Sequence, residues 1–227
     1  MNVAIIAAAG QGTRMAGKRP KQFLELAGTP ILFHTLKTFE QCDVIQEIIV
    51  VIAPQESAGF LSLANKFGLQ KLARVVPGGA TRAESVLHGL QAVRSATAEI
   101  VAVHDGVRPF VTAEEITRTV DLAGREGAAI LVAAPVDTIK EVRDGHVVKT
   151  LRRDQLRNAL TPQCFQYKLL RRAYEETDVN DPELTDESSL VERLGVKIAI
   201  VEGSSRNIKI TREEDLVIAE AILKNWA

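Results

Sequence analysis

The segment Ala7-Ala8-Ala9-Gly10-Gln11-Gly12-Thr13-Arg14-Met15-Ala16-Gly17-Lys18-Arg19-Pro20-Lys21 sets two glycines, an arginine and a lysine directly after an apolar run. In open α/β sheets ligands bind beyond the carboxyl ends of strands, so a nucleotide is expected here. A dinucleotide fingerprint, G-x-G-x-x-G, fits Gly10 and Gly12. It fails at Met15, which replaces the glycine that permits close helix–strand packing. A phosphate loop, G-x-x-x-x-G-K-[ST], fits Gly12 and Gly17-Lys18, but Arg19 replaces the hydroxyl that holds magnesium. Pro20 also removes a backbone N–H. What remains is G-x-G-x-R followed by P-K. The glycines let backbone N–H groups approach phosphate oxygens, and Arg14 and Lys21 add charges that follow the phosphates through a transfer. Bringing two anions together requires such charges: one opposite charge at about 4 Å contributes about 4 kcal/mol at an effective dielectric near 20. The pattern points to a small nucleotidyltransferase.

Other clusters carry compatible chemistry. Gly78-Gly79-Ala80-Thr81-Arg82-Ala83-Glu84-Ser85 offers small residues at a helix start, where a flat base or an anion fits. Ser85, one turn in, is expected to reach a base edge. A capped turn between strand and helix explains the same residues equally well. In His104-Asp105-Gly106-Val107-Arg108-Pro109, Asp105 follows a strand and is placed to hold Mg²⁺ on triphosphate oxygens, with Arg108 toward an acceptor phosphate. His104 reads as structural, because a phosphate nucleophile is already ionised at neutral pH. In Asn207-Ile208-Lys209-Ile210-Thr211, Lys209 alternates away from two isoleucines and toward the cleft. Leu160-Thr161-Pro162-Gln163 and Thr185-Asp186-Glu187 are acceptor contacts by position alone.

The elements that must hold these residues are legible as short apolar runs: Val3-Ala9, Glu47-Ala53, Leu72-Val76, Ile100-Val103, Ala128-Ala134 and Val196-Val201. They are nearly continuous, as in strands buried on both faces of a parallel sheet. Between them run helical stretches. One follows Thr29-Pro30, an N-cap with proline in the first turn. Others open on Thr81-x-x-Glu84, Thr112-x-x-Glu115 and Thr211-x-x-Glu214, each read as a capping box. The alternation predicts an α/β fold with a doubly wound, mostly parallel sheet. Asp137 to Leu151 breaks the rhythm and reads as a protruding β-hairpin turning at Asp144-Gly145. A lone hairpin is marginally stable in water, so a second copy of the chain is the expected support. The plainer alternative is an edge hairpin resting on its own domain.

Composition bounds the class. The chain has 227 residues, 46% of them hydrophobic, and a formal net charge of -1, which suits one domain and argues against a nucleic-acid surface. Cys42 and Cys164 have no metal-ligand spacing and cannot form a secreted disulfide framework. No signal peptide and no run long enough to span a membrane is seen, so a cytoplasmic protein is expected.

Together these motifs resemble the 2-C-methyl-D-erythritol 4-phosphate cytidylyltransferases. The likeness rests on Ala8-Ala9-Gly10-x-Gly12-x-Arg14-Met15, Pro20-Lys21-Gln22, Gly79-x-x-Arg82-x-x-Ser85-Val86 and His104-Asp105-x-x-Arg108-Pro109. Ala134-Pro135-Val136, Leu160-Thr161-Pro162-Gln163, Thr185-Asp186-Glu187 and Asn207-Ile208-Lys209-Ile210-Thr211 continue it. The resemblance implies a Rossmann-like nucleotidyltransferase over residues 1–227, with a dimerisation arm at about 137–155. It implies attack by the phosphate of methylerythritol phosphate on the α-phosphorus of CTP, with pyrophosphate leaving and Mg²⁺ or another divalent cation as cofactor. By motif, Arg14 and Lys21 would stabilise the transition state, and Arg153 and Lys209 would position the acceptor. Ala8, Ala9, Gly10, Gly12, Gly79, Ala80 and Ser85 would contact CTP. Asp105, Arg108, Thr138, Thr161 and Thr185 would meet the acceptor, Asp105 also binding the metal. Arg153 and Thr138 would come from the arm of a partner subunit in a homodimer.

Departures exist. Gly106-Val107 replaces an Ala-Ala pair, and Arg206 stands where an acidic residue is common. Arg152 adjoins Arg153, so the choice between them rests on alignment. A fused cyclodiphosphate synthase domain is not expected. Two alternatives stay open: a sister enzyme acting on ribitol 5-phosphate, and a non-catalytic nucleotide-binding regulator.

Overall fold

The computed structural model describes residues 1–10, 20–179 and 181–226. In chain order the elements begin with β1 (Asn2–Ala8), the short β2 (Glu25–Leu26) and β3 (Thr29–Pro30), α1 (Ile31–Gln41), β4 (Glu47–Ile52) and α2 (Ser57–Phe67). There follow β5 (Leu72–Pro77), α3 (Arg82–Gln91), β6 (Ile100–Asp105), α4 (Ala113–Glu126) and β7 (Ala128–Ala133). The chain then forms β8 (Lys140–Arg143), β9 (His146–Thr150), β10 (Asn158–Gln166), α5 (Tyr167–Glu175), α6 (Glu187–Glu192), β11 (Ala199–Glu202) and α7 (Glu213–Lys224).

A seven-stranded sheet runs in the order β11-β7-β10-β6-β1-β4-β5. Neighbours pair in parallel except β10, which is antiparallel to both β6 and β7. The apolar runs are continuous because alternate side chains feed opposite faces. In β1, Ala4 and Ile6 join the cluster holding Phe33, Leu36 and Phe39, while Val3 and Ile5 join the one holding Val86, Leu90 and Leu170. A third cluster packs Leu26, Ile31, Phe110 and Ile210 against α7.

After β1 the chain builds outward through β4 and β5, then crosses back to lay β6 on the other side. That reversal opens a crevice at the carboxyl ends of β1 and β6, where Ala7 is the register partner of Asp105. The fold therefore places the start of the first loop, at Ala7, beside the His104-Asp105 motif.

Several local expectations need correction. The run at Val196-Val201 is a strand only over Ala199–Glu202. Pro30 is the N-cap of α1 rather than a first-turn residue, and Thr29–Pro30 pairs with Glu25–Leu26. Thr112 and Glu115 form the full capping box. Thr81 caps α3 through Glu84 N–H, but the Glu84 carboxylate accepts from Ala80 N–H, one residue earlier than a closed box requires. The last helix starts after Arg212, and Asp215 rather than Glu214 accepts from Thr211 and Arg212 N–H. Asp215 sits three residues after that cap, where its carboxylate reaches the free N–H groups.

The hairpin expectation holds. Asp144 and Gly145 have φ of 50° and 77°, the two positive values that a two-residue type I′ turn needs. Its strands form a separate two-stranded sheet, with Val142, Val147 and Val148 exposed. β10 lies beyond what periodicity signalled, since Thr161-Pro162-Gln163 breaks its apolar pattern. The Thr161–Pro162 bond is cis, and the pairing with β7 shifts register between Ala159 and Gln163.

Candidate active site

A cleft of about 390 Å³ opens at the crevice, lined among others by Ala8, Ala9, Gly10, Lys21, Gly79, Ala80, Ser85, Asp105 and Lys209. Residues far apart in the chain meet here because β1, β5 and β6 all end on this side. Gln22, also lining the cleft, is buried and donates from Nε2 to Ala8 O at 2.7 Å, tying the segment after the first loop to the end of β1. Arg14 and Gly12 lie outside the described residues.

The loop into α3 is held from within. Ser85 Oγ accepts from Gly79 N–H at 3.0 Å and donates to Thr81 O at 2.9 Å. The hydroxyl keeps one lone pair, so toward a base it has acceptor capacity only. Its main observed role is shaping the loop rather than waiting free at a base edge. Gly78 is obligatory: a Cβ there would lie 2.1 Å from Ala9 Cβ, so the two loops touch only because residue 78 has no side chain.

Asp105 is the electrostatic centre. Its Oδ1 accepts from Arg82 Nε at 3.3 Å. Its Oδ2 meets Arg108 Nε at 3.3 Å and Lys209 Nζ at 2.9 Å. Burial alone would raise its pKa, but Arg82, Lys209 and Arg108 together outweigh burial and hold it well below the usual carboxylate range. Arg108 also donates to Asn207 O at 2.8 Å, which fixes the backbone just before Lys209.

Behind Asp105 a buried chain sets the turn. His104 Nε2 lies 3.2 Å from Arg108 O, an atom that can only accept, so Nε2 carries the proton. Nδ1 then accepts from Thr161 Oγ1 at 2.9 Å, and Thr161 accepts from Asp105 N–H at 3.2 Å. Burial, the largest influence, pushes the His104 pKa down to about 4. His104 is structural, as its chemistry suggested. Thr161 spends its hydroxyl in this chain and is itself buried, so it shapes the site from behind.

Arg108 and Thr161 are thus adjacent to the cleft without lining it. Thr185 lines a neighbouring cavity that shares Thr81 and Arg82. Arg153 and Thr138 are exposed, and Arg153 Nη1 donates to Val136 O within the same arm region. A single chain does not bring these two to the cleft lining.

Sequence reasoning gave no role to Arg82, and read Gln163 and Glu187 only as acceptor contacts by position. Arg82 Nη1 donates to both Glu187 oxygens, at 2.8 and 2.9 Å. Gln163 is buried and uses both ends of its amide, donating to Asp186 Oδ2 and accepting from Ser188 N–H. The only signal was the presence of Arg82, Gln163 and Glu187 within recognisable motifs; their pairing is long-range.

Among the described residues no group of three or more His, Cys, Asp or Glu side chains could hold a metal ion, and no helix is long and apolar enough to cross a membrane.

The family described as 2-C-methyl-D-erythritol 4-phosphate cytidylyltransferase matches residues 2–225. A protein of that name from Syntrophus aciditrophicus is 44% identical over 225 residues, covering 98% of this chain and 95% of the relative. One from Bacillus cytotoxicus is 44% identical over 223 residues, covering 98% of each. The crystal structure of 4-diphosphocytidyl-2C-methyl-D-erythritol synthase from Anaerococcus prevotii superposes with a TM-score of 0.88 at 34% identity, covering 98% of both chains. With the crevice and its clustered cations in place, the chain belongs to the 2-C-methyl-D-erythritol 4-phosphate cytidylyltransferase family.

Proposed function

We propose that the cleft between β1, α3 and β6 seats CTP and the phosphate of 2-C-methyl-D-erythritol 4-phosphate side by side. The enzyme is a cytidylyltransferase that transfers CMP to that phosphate, forming 4-diphosphocytidyl-2-C-methyl-D-erythritol and pyrophosphate. The observation carrying the residue assignment is the convergence of Ala8–Gly10, Lys21, Gly79–Ala80, Asp105 and Lys209 on one cleft.

An acceptor phosphate oxygen attacks the α-phosphorus, and the α–β bridging bond breaks with its electrons leaving on pyrophosphate. The nucleophile is already ionised, so no general base is required. This agrees with a His104 whose two ring nitrogens are both engaged. The work left to the protein is positioning and charge stabilisation. Lys21 lines the donor end of the cleft, where Arg14 is assigned by its motif, and Lys209 meets the acceptor phosphate, with Arg108 behind it bracing Asp105. The charge on Asp105 keeps those cations clustered before substrate arrives.

The donor set fits a magnesium ion of one kind. Asp105 is the one carboxylate among the described cleft-lining residues and its oxygens already face Arg82, Arg108 and Lys209, which suits an ion held largely by nucleotide phosphate oxygens and water. When bound it would neutralise triphosphate charge.

The exposed Val142, Val147 and Val148 of the hairpin support a homodimer in which the arm of one protomer brings Arg153 and Thr138 toward the acceptor of the other. A cytoplasmic enzyme is the matching location. Pyrophosphate release from CTP, with methylerythritol phosphate or ribitol 5-phosphate and with or without Mg²⁺, tests the reading. Faster turnover with ribitol 5-phosphate would reassign the acceptor.

A further inference from the structure

Arg82 makes contacts that neither substrate binding nor helix formation requires. It is the first residue of α3, in the loop that shapes the nucleotide end of the cleft, and its side chain lines that cleft. Its Nε reaches Asp105 at 3.3 Å, while Nη1 is gripped by both oxygens of Glu187. Glu187 is 1% exposed and lies at the start of α6, on an element outside the cleft lining. Tyr174 of α5 donates to Glu187 Oε1 at 3.2 Å, so the carboxylate is held from behind as well. One guanidinium therefore joins the nucleotide loop, the acceptor-side carboxylate and a buried anchor.

A buried carboxylate is costly unless it is paired and hydrogen-bonded, and a well-packed apolar group serves stability as well. A stability role alone gives no reason for the pair to face the cleft and reach Asp105. Arg82 is also the sole hydrogen-bond donor to Asp105 Oδ1 among the described residues, while Arg108 and Lys209 share Oδ2. Removing Arg82 leaves the carboxylate free to rotate toward the remaining cations, and Lys209 moves with it.

We propose that Arg82, aimed by Glu187, is a positioning residue that fixes the nucleotide loop and Asp105 relative to one another, and so sets the distance between donor and acceptor. The inference rests on the active-site reading above. A guanidinium suits the task because its planar fork addresses two carboxylates in fixed directions, which an ammonium cannot do.

The test compares R82Q, R82K, E187Q and Y174F with the unaltered enzyme. It measures kcat and KM for both substrates, CTP affinity by calorimetry without turnover, and thermal unfolding. R82Q is expected to lower kcat on the order of 100-fold, as for other lost orienting groups, with CTP affinity changed less than about threefold. R82K should recover only a small part of kcat. E187Q should lower kcat on the order of 10-fold with CTP affinity retained. Y174F should lower the unfolding temperature but leave kcat within about twofold of the unaltered enzyme. The proposal is overturned if R82Q keeps kcat within twofold, if R82K restores full kcat, or if CTP affinity falls in step with kcat. If the unaltered enzyme releases no pyrophosphate with methylerythritol phosphate, the active-site reading fails and this inference with it. Normal activity that survives R82Q removes the inference alone.

Discussion

Lys209 Nζ lies 2.9 Å from Asp105 Oδ2, closing an ion pair between the end of β6 and the segment just before α7. Ile210 beside it is fully buried, and its N–H donates to Val107 O, so the backbone carrying Lys209 is pinned to the turn carrying Asp105. The pair is prearranged rather than assembled by substrate. Electrostatic groups that need not reorganise during reaction contribute most to phosphoryl chemistry.

Lys209→Ala is therefore expected to lower kcat/KM for methylerythritol phosphate by about 100-fold or more, with CTP affinity nearly unchanged. Pyrophosphate release measures the first and calorimetry the second. A selective loss of CTP binding would move Lys209 to the nucleotide end.

Lys21→Ala probes the donor side. Lys21 lines the cleft from the segment following the first loop, which Gln22 ties to β1. If Lys21 acts on developing charge, turnover falls by about 100-fold or more while CTP affinity falls much less. Equal losses in both would favour a protein that binds nucleotide without transferring it.

Gly78 and Gly89 separate site geometry from fold stability. A methyl at residue 78 would meet Ala9 Cβ at 2.1 Å, parting the two loops that frame the cleft. Gly78→Ala is expected to raise KM for CTP with modest change in unfolding temperature. A methyl at residue 89 would meet Ile5 Cγ2 at 2.6 Å and Val51 Cγ2 at 3.0 Å, forcing α3 off the sheet. Gly89→Ala should cost about 1–3 kcal/mol of stability, as overpacked cores do. Denaturant titration checks the second, and steady-state kinetics the first.

The sheet was readable because β1, β4, β6 and β7 are buried on both faces, which leaves nearly unbroken apolar runs. β10 was not, because its buried Thr161 and Gln163 are polar side chains satisfied by hydrogen bonds with His104, Asp186 and Ser188, with Pro162 between them. The cleft residues on strand ends were legible from motif and position. Arg82 stood in a motif as well, but Glu187 is 105 residues away, and no local pattern encodes a buried ion pair across that separation. Ser85 lines the cleft as expected, but its hydroxyl also shapes the loop through partners close in sequence, which the motif did not signal.

Acid sensitivity follows from His104. Its pKa falls from an ordinary 6.5 to about 4 in the folded chain, chiefly through burial. Between those values the unfolded chain binds a proton that the folded chain refuses, so stability falls as pH drops through this window. The full effect amounts to about 3 kcal/mol. Asp105 acts in the same direction at lower pH: its depressed pKa adds stability above the usual carboxylate range, lost as the group protonates. Unfolding free energy should therefore begin to fall below about pH 6.5 and fall further below about pH 4. His104→Asn, which can still donate to Arg108 O, should flatten the slope between pH 6 and 4.5, as read by urea denaturation. An unchanged slope would assign it to other groups.

The hairpin arm gives the last expectation. Val142, Val147 and Val148 are exposed on a two-stranded sheet that has no third strand to cover it. A two-stranded ribbon gains stability by packing on another surface, and a second protomer supplies one with matching symmetry. Val147→Glu places charge in that contact without touching the cleft. It is expected to shift the protein toward monomer in sedimentation and to raise KM for methylerythritol phosphate, because Arg153 and Thr138 of the arm would no longer reach a neighbouring cleft. CTP affinity should stay the same, since none of the residues lining the cleft lies on the arm. A variant that turns monomeric yet keeps its acceptor KM would show that each chain carries a complete site, and Arg153 would lose its role.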